Sequence, residues 1–358
     1  MDSKTKSGKG GIDCKHIVIS ADLAKKIRAG ILTGKLPGVV KLAAEYEVNP
    51  LTICKALDTL EDLGLIERRS RIGTFVKHKK RIGVFFLTRR GQPNPEPPRR
   101  RPQLPMLYNI VSDGIASVVA AREFSMLVQA VNPDHREYLA YLKSEVDGAV
   151  ILHAGDQVSE KDSLLFHDIP FVRAMGQPIT GFDHTHISYN NPATGRLAAE
   201  YLRQQNCQSA IYVGGFNLQI GIERFESFRD NLNGLLLEPF HLDLAVLTVP
   251  EFLERGNRLL PEILERNRNR KIGVFLTGDV YISPFYQLLR RFSLEPMTDL
   301  PVISCDNNFY ALQGVHPLPA EIDIKAYEIG RLSAEILIKQ LENTPAPTGK
   351  ILLEPEIL

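Results

Sequence analysis

Cysteine is scarce and scattered. Cys14, Cys54, Cys207 and Cys305 form no CxxC pair, so neither a disulfide framework nor a zinc cage is expected, and a reducing compartment suits the chain. Long apolar runs are missing as well. Ile82–Leu87 and Gly148–Leu152 fall far short of the roughly 20 residues that cross a bilayer, which excludes a membrane span. The opening residues, MDSKTKSGKGGIDCK, offer no apolar stretch to a signal sequence, so the expected location is the cytoplasm. Catalytic signatures are also lacking: there is no nucleophile elbow, P-loop or HExxH, and YVGGF does not have the spacing of a dinucleotide loop. No reaction and no cofactor are expected. What remains is ordinary for a globular protein, with 44% apolar, 24% charged and 8% aromatic residues in 358, a length for two or three domains.

The net charge of +1 hides an asymmetry. Residues 1–105 carry 22 Lys+Arg against 10 Asp+Glu, and residues 106–358 carry 21 against 32. A basic front on an acidic body points to a polyanion at the front, because clustered Lys and Arg bind phosphates by releasing counterions. A solubilising tail would give the same charge, but these residues lie in sequence with clear helical periodicity.

Residues 1–15 read as a flexible lead-in. Ser20 is placed to cap a helix through ADLAKKIRAGILTG, with Leu23, Ile27 and Ile31 on one face and Gly34 as its stop. A short helix follows at Val39–Tyr46. Asn49 and Pro50 then suit the cap and first position of a third helix, which runs to about Leu63 and stops at Gly64. Its Ile53, Leu57 and Leu60 form an apolar stripe, while Thr52, Lys55 and Thr59 lie on other faces. Strand-like Leu65–Arg69 and Thr74–Val76 flank the basic turn Ser70–Gly73. Three helices and a hairpin make a winged helix-turn-helix over 16–76.

In IRAGILTGKLPG and KLAAEYEVNPLTICKALDTLEDLGLIERRSRIGTFV the sequence resembles the gluconate-repressor (GntR) family of bacterial regulators, from Ile17 to about Val76. The resemblance implies double-stranded operator DNA as partner. Arg68, Arg69 and Arg71, with Gly73 in the wing, would meet phosphates or a minor groove, and Thr52 and Lys55 would enter the major groove. Asn49 would cap its helix, touch a phosphate or read an adenine edge.

After a connector at 77–81, residues 82–358 alternate apolar strands with amphipathic helices. Strands are expected at 81–87, 125–131, 148–152, 170–174, 209–213, 243–248, 272–276, 301–304 and 351–353. Helices are expected at 106–122, 137–144, 160–166, 193–205, 222–233, 254–267, 282–292 and 326–342. Such alternation requires an α/β fold of parallel sheets covered on both faces, and the count exceeds one open sheet. Two Rossmann-like lobes are expected, the first about 82–188 with 322–343, the second about 190–320 with 349–358. The stretches RIGVFF, SEVDGAVIL, HISYNNPATGRLAAEYLRQQ, AIYVGG, IERFESFRDNL, VFLTGDVYIS and LPVISCDNN are similar to the effector core of the lactose and galactose repressor (LacI) family, of the periplasmic sugar-binding-protein type.

Ligands in such folds bind beyond the carboxyl ends of the strands, where Arg224, Asp279 and Asp306 stand. Arg224 in IERFESF and Asp306 in SCDN match positions that the resemblance assigns to effector contact. Phe216 and Thr88, each after a strand, are lesser candidates. His184 and His186 share a strand face without a third ligand, so no metal is expected. The segment Arg89–Pro105, rich in proline and arginine, reads as an extended insertion. The expectation is a homodimeric DNA-binding regulator, a repressor, controlled by a small sugar-like effector between two lobes. Its dimer contact is expected at helix 106–122, where Ile110, Ile115, Val118 and Val119 exceed one buried stripe. The alternative is a sugar-binding protein or sugar-handling enzyme with an incidental helix-turn-helix.

Overall fold

The computed structural model describes residues 15–28, 31–77, 80–87, 107–153, 164–176, 184–216, 219–238, 240, 242 and 247–358. It contains two compact units, Met1–Lys80 and Arg81–Leu358. Among the described residues no helix is long and apolar enough to cross a membrane.

The first unit holds α1 (Lys15–Arg28), α2 (Val39–Glu45) and α3 (Pro50–Asp62), then an antiparallel hairpin of β1 (Ile66–Arg69) and β2 (Gly73–Val76). Leu23, Leu42, Ile53, Leu57 and Leu60 form its core. The Asn49 side chain accepts from the Leu51 backbone N–H at 2.9 Å, so the expected cap is present, and Gly64 follows α3 with φ 66°. Ser20 is not a cap. The helix already begins at Lys15, and Ser20 is buried inside it with its hydroxyl donating to the Ile17 carbonyl at 2.9 Å. The cause is that Ile19, Leu23 and Ala24 are all buried, which extends the apolar stripe one turn upstream. Ile31 is 70% exposed and lies beyond the helix.

The second unit is mixed α/β with two six-stranded sheets. In the first lobe β3 (Arg81–Leu87), α4 (Leu107–Ala121), β4 (Ser125–Val131), α5 (Arg136–Ser144), β5 (Gly148–His153), β6 (Phe171–Ala174) and β7 (Thr185–Tyr189) form five parallel strands with two helices. The chain then crosses into α6 (Asn191–Gln204), β8 (Ser209–Val213), α7 (Gln219–Asp230), β9 (Leu236–Glu238), α8 (Val249–Arg266), β10 (Ile272–Leu276), α9 (Ile282–Arg291), β11 (Val302–Cys305), α10 (Phe309–Leu312) and β12 (Ala320–Asp323). It returns through α11 (Ala326–Leu341) and ends in β13 (Lys350–Leu353) and β14 (Glu356–Ile357).

Two expectations about the lobes change. Strand β13 was expected with the second lobe, but it pairs in parallel with β7 in the first, and only β14 joins the second sheet, antiparallel to β12. Residues 322–323 complete β12 of the second sheet, so the return to the first lobe begins with α11. The physical reason is length: three crossings leave each closing strand only enough chain for the nearest open sheet edge. Most of the strand expected at 243–248 and of the helix at 160–166 lies outside the described residues, as do Thr88 and Arg89–Pro105; at 164–166 there is a single 3-10 turn.

Helix α4 buries part of its apolar surplus within the chain. Ile115 and Val119 are buried in the core that α4 builds with α11 and the first sheet. The crossing is close enough that a Cβ on Gly114 would stand 2.1 Å from the Tyr327 carbonyl oxygen, and one on Gly330 2.0 Å from that of Val111. Only glycine permits this approach. Ile110 and Val118, the other two apolar residues named for a dimer contact, are half-buried against the same core and keep part of their surface open.

Candidate functional site

Two regions gather the charged residues singled out above. In the first unit, Thr52 is half-buried and Lys55 exposed on the outer side of α3, beside Leu51 at 70% exposure. In the wing, Gly73 adopts φ 132°, and a Cβ there would meet Lys35 Cε at 2.6 Å. The stem of Lys35 fills that space, and its ammonium lies 5.9 Å from the Phe75 ring centre. The Arg69 guanidinium stacks on the same ring at 4.8 Å and pairs with Glu67 at 3.0 Å. Arg71 is exposed at φ 61° at the tip, with no partner among the described residues.

The second region lies where β7 hands the chain to α6. Arg224, on α7, is 4% exposed and holds four groups from four segments. Nε donates to Asn191 Oδ1 at 2.7 Å, Nη2 to Tyr189 Oη at 2.6 Å, Nη1 to the Thr277 carbonyl, and Nη2 to Asp306 Oδ1 at 3.5 Å. Tyr189 and Asn191 belong to the crossing, whereas Thr277 and Asp306 follow β10 and β11 of the second sheet. The guanidinium thus joins the first crossing to the strand ends of the second lobe. Its position depends on a second glycine contact: a Cβ on Gly195 of α6 would stand 2.3 Å from the Arg224 carbonyl oxygen.

Three carboxyls surround this arginine. Burial pushes Asp306 up to about 7, with Asp279 adding to the rise and Arg224 opposing it. Burial also raises Asp279, and Glu321 is pushed up to about 10 by burial and by the neighbouring Asp279 carboxyl, so it is protonated at neutral pH. Burial works against the Arg224 charge, but the facing Cys305, Tyr189 and Asp306 groups hold its pKa well above the ordinary value. Asp306, at φ 113°, lines a cavity of about 280 Å³ with Asn307, Asp323, Lys325 and Tyr327, closed from the first lobe by Ile110. This cavity offers acceptors and one ammonium to a polar ligand in contact with both lobes.

Residues 18–76 match the family described as bacterial regulatory proteins, gntR family, and residues 199–358 match the periplasmic binding protein-like domain. The chain joins a gntR-type helix-turn-helix to a periplasmic-binding-protein-like core. Relatives include the ribose operon repressor of Halalkalibacterium halodurans, 23% identical over 60% of the chain and 61% of the repressor. The arabinose metabolism transcriptional repressor of the same organism is 19% identical over 92% of the chain and 90% of its own length. The chain thus spans about three-fifths of the ribose repressor but nearly all of the arabinose one. A solved periplasmic binding protein/LacI transcriptional regulator from Alkaliphilus metalliredigens, complexed with D-xylulofuranose, superposes with TM-score 0.59 at 16% identity, covering 78% of this chain and 97% of that one. That likeness shows the fold.

Within the gntR-type unit, Arg68 is exposed on β1 of the wing, and its guanidinium is engaged on α3. It is turned back onto α3, pairing with Asp58 at 2.7 Å and Glu61 at 3.5 Å and donating to the Cys54 carbonyl at 3.1 Å. Those acidic residues, one turn apart on α3, hold the guanidinium on the helix surface while the side chain stays exposed. In the core, Asp279 is also committed internally: Ser304 Oγ donates to one oxygen at 2.6 Å and the Asn308 backbone N–H to the other at 2.5 Å. Asp279 is 2% exposed and fastens the loop after β11 rather than facing the Asp306 cavity. Phe216 packs edge-on against Phe225 at 4.8 Å within an aromatic cluster around Tyr212. His184 stacks on Phe171 at 5.5 Å, and among the described residues no group of three metal-ligating side chains gathers. Sequence reading missed Lys35, Tyr189, Asn191 and Glu321. Of these, Lys35 stood in the recognised stretch IRAGILTGKLPG and Tyr189 and Asn191 in HISYNNPATGRLAAEYLRQQ, whereas Glu321 stood in none.

Proposed function

We propose that the chain is a DNA-binding transcriptional regulator, a repressor, whose operator affinity is set by a small polar effector, sugar-like in its hydroxyls, bound between the lobes of the core. The observation that carries this reading is the Arg224 junction beside the Asp306 cavity, which ties the first crossing to the second-lobe strand ends. A ligand filling the cavity favours one lobe arrangement over another, and operator affinity changes with it. The repressor relatives, named for ribose and arabinose operons, support the sugar class. Lys35, Lys55, Arg69 and Arg71 act on the phosphate backbone, Thr52 and Lys55 on base edges, and Asn49 holds the start of the recognition helix. Asp306 contacts the effector, and Arg224 is the positioning residue behind it. Two copies bind a two-fold symmetric site.

The test is retardation of DNA from the region upstream of the gene, with and without a panel of pentoses, hexoses and disaccharides. One sugar is expected to release the DNA from the wild type at concentrations that leave Asp306→Asn bound. Absence of DNA binding at low salt would refute the reading.

A further inference from the structure

Beneath the loop that carries Asp306, the second sheet buries two carboxyls side by side. Glu321 of β12 stands in register with Ser304 of β11, so their side chains leave the sheet on the same face from strands roughly 5 Å apart. Ser304 Oγ donates to Asp279 Oδ1 at 2.6 Å, which brings the Asp279 carboxyl over that pair and against Glu321. Glu321 is 8% exposed and Asp279 2%. The other groups facing Glu321 are Cys305, Asp306 and the Asn307 backbone N–H from the end of β11, and Tyr286 from α9. Arg290, one turn further along α9, donates to the His316 carbonyl at 3.2 Å. From β14, the Leu358 N–H donates to the Glu321 carbonyl at 2.9 Å, and Glu356 pairs with Lys325. Arg224 of α7 acts on the cluster from the other side of Asp306 and is already bonded to four groups.

Two adjacent buried carboxyls do not both ionise, and their bonds decide which keeps the proton. Asp279 accepts one hydrogen bond on each oxygen, from Ser304 Oγ and from the Asn308 backbone N–H at 2.5 Å, and both favour its anion. Neither oxygen of Glu321 receives a hydrogen bond from the described residues. Ionised, Glu321 would be a buried charge with nothing to bond it; neutral, it has an O–H to give and an anion beside it to accept. Burial and the Asp279 carboxyl raise its pKa in the same sense. The consequence reaches the cavity through Asn308. The Asp279–Asn308 bond closes a loop in which Asp306 has φ 113° and Asn307 φ 51°, conformations that the surroundings must impose on residues other than glycine.

We propose that Glu321 is a positioning residue for the effector site: it carries a proton at neutral pH, donates it to Asp279, and through Asp279 holds residues 306–308 in the form that presents Asp306 to the cavity. The consequence for the effector rests on the reading given above, whereas the shared proton does not. Loss of the proton, or of the group that carries it, frees Asp279 to turn and loosens the loop.

The experiment compares the full-length wild type with Glu321→Gln, which keeps the size and a donor but cannot ionise, and Glu321→Met, which keeps the length and has no donor. In urea unfolding followed by circular dichroism, the folding constant of Glu321→Gln relative to wild type is expected to rise about tenfold from pH 7 to pH 8, because the wild type releases the Glu321 proton on unfolding. Hydrogen exchange of the peptide containing the Asn308 amide, read by mass spectrometry at pH 7, is expected to match wild type in Glu321→Gln and to be about tenfold faster in Glu321→Met. With ribose, arabinose and sucrose as probes, the sugar concentration that releases DNA is expected to be unchanged in Glu321→Gln and about tenfold higher in Glu321→Met. A relative folding constant that does not change with pH overturns the proposal, since Glu321 is then ionised in the folded chain. Wild-type exchange at Asn308 in Glu321→Met overturns it as well. Both of these readouts are free of ligand, so a wild type that none of the sugars releases counts against the effector reading and leaves the shared proton to be decided by them.

Discussion

Replacing Arg224 with methionine preserves most of its volume and removes its charge and all four of its hydrogen bonds. Asn191 Oδ1, Tyr189 Oη and the Thr277 carbonyl then lose a donor in a buried place. Some recover by rotating, and the remaining cost is about 3 kcal/mol. Asp306 adds a part that depends on pH. The unfolded chain releases this proton near 3.8 and the folded one near 7, so the group makes folding less favourable as pH rises between those values and adds no further loss above them. Without the guanidinium, which opposes this rise, the folded value moves higher still, and the loss continues to higher pH. The destabilisation should therefore be about 3 kcal/mol at pH 6 and larger at pH 8. Urea unfolding followed by circular dichroism at the two pH values measures both parts. A loss under about 1 kcal/mol, or one equal at both pH values, would refute the reasoning about this junction.

The glycine crossing of α4 and α11 gives a sharper contrast. Gly330→Ala should lose about 2 kcal/mol in urea unfolding, since a Cβ meets the Val111 carbonyl at 2.0 Å, whereas a helix free to accept it would gain up to about 1 kcal/mol from propensity. In the first unit, Asn49→Ala should cost about 1 kcal/mol of stability through the lost cap. Lys35→Ala and Arg71→Ala should each lower the slope of log K against log salt by about 1, measured by fluorescence anisotropy on one DNA fragment. Arg68→Ala should leave that slope unchanged because its guanidinium already pairs with Asp58 and Glu61. A drop for Arg68 equal to that for Arg71 contradicts the assignment.

The helix-turn-helix was legible because its signals are local. Asn49 and Pro50 mark a helix start, Gly64 marks its end, and an apolar stripe at helical spacing lies between. The parallel strands were legible for a similar reason, being short apolar runs between amphipathic helices. Strand β12 was not, since Glu321 and Asp323 interrupt its pattern, and its burial comes from neighbours far away in sequence. The pairing of β13 with β7 is likewise a matter of which sheet edge is near. In the site, position after a strand end placed Arg224, Asp279 and Asp306 in one cluster, as their mutual effects on acidity show. It did not reveal that Asp279 is fastened to Ser304 and Asn308, because that depends on a rotamer and a loop.

The central claim is that a ligand in the Asp306 cavity changes operator affinity through the lobes. The most direct measurement is the affinity of the full chain for DNA from its own upstream region, by fluorescence anisotropy, with and without the sugar that releases it, in wild type and in Asp306→Asn. The account predicts equal DNA affinity without sugar and an effective sugar concentration at least about tenfold higher in the variant. Release of both proteins at the same sugar concentration would contradict it.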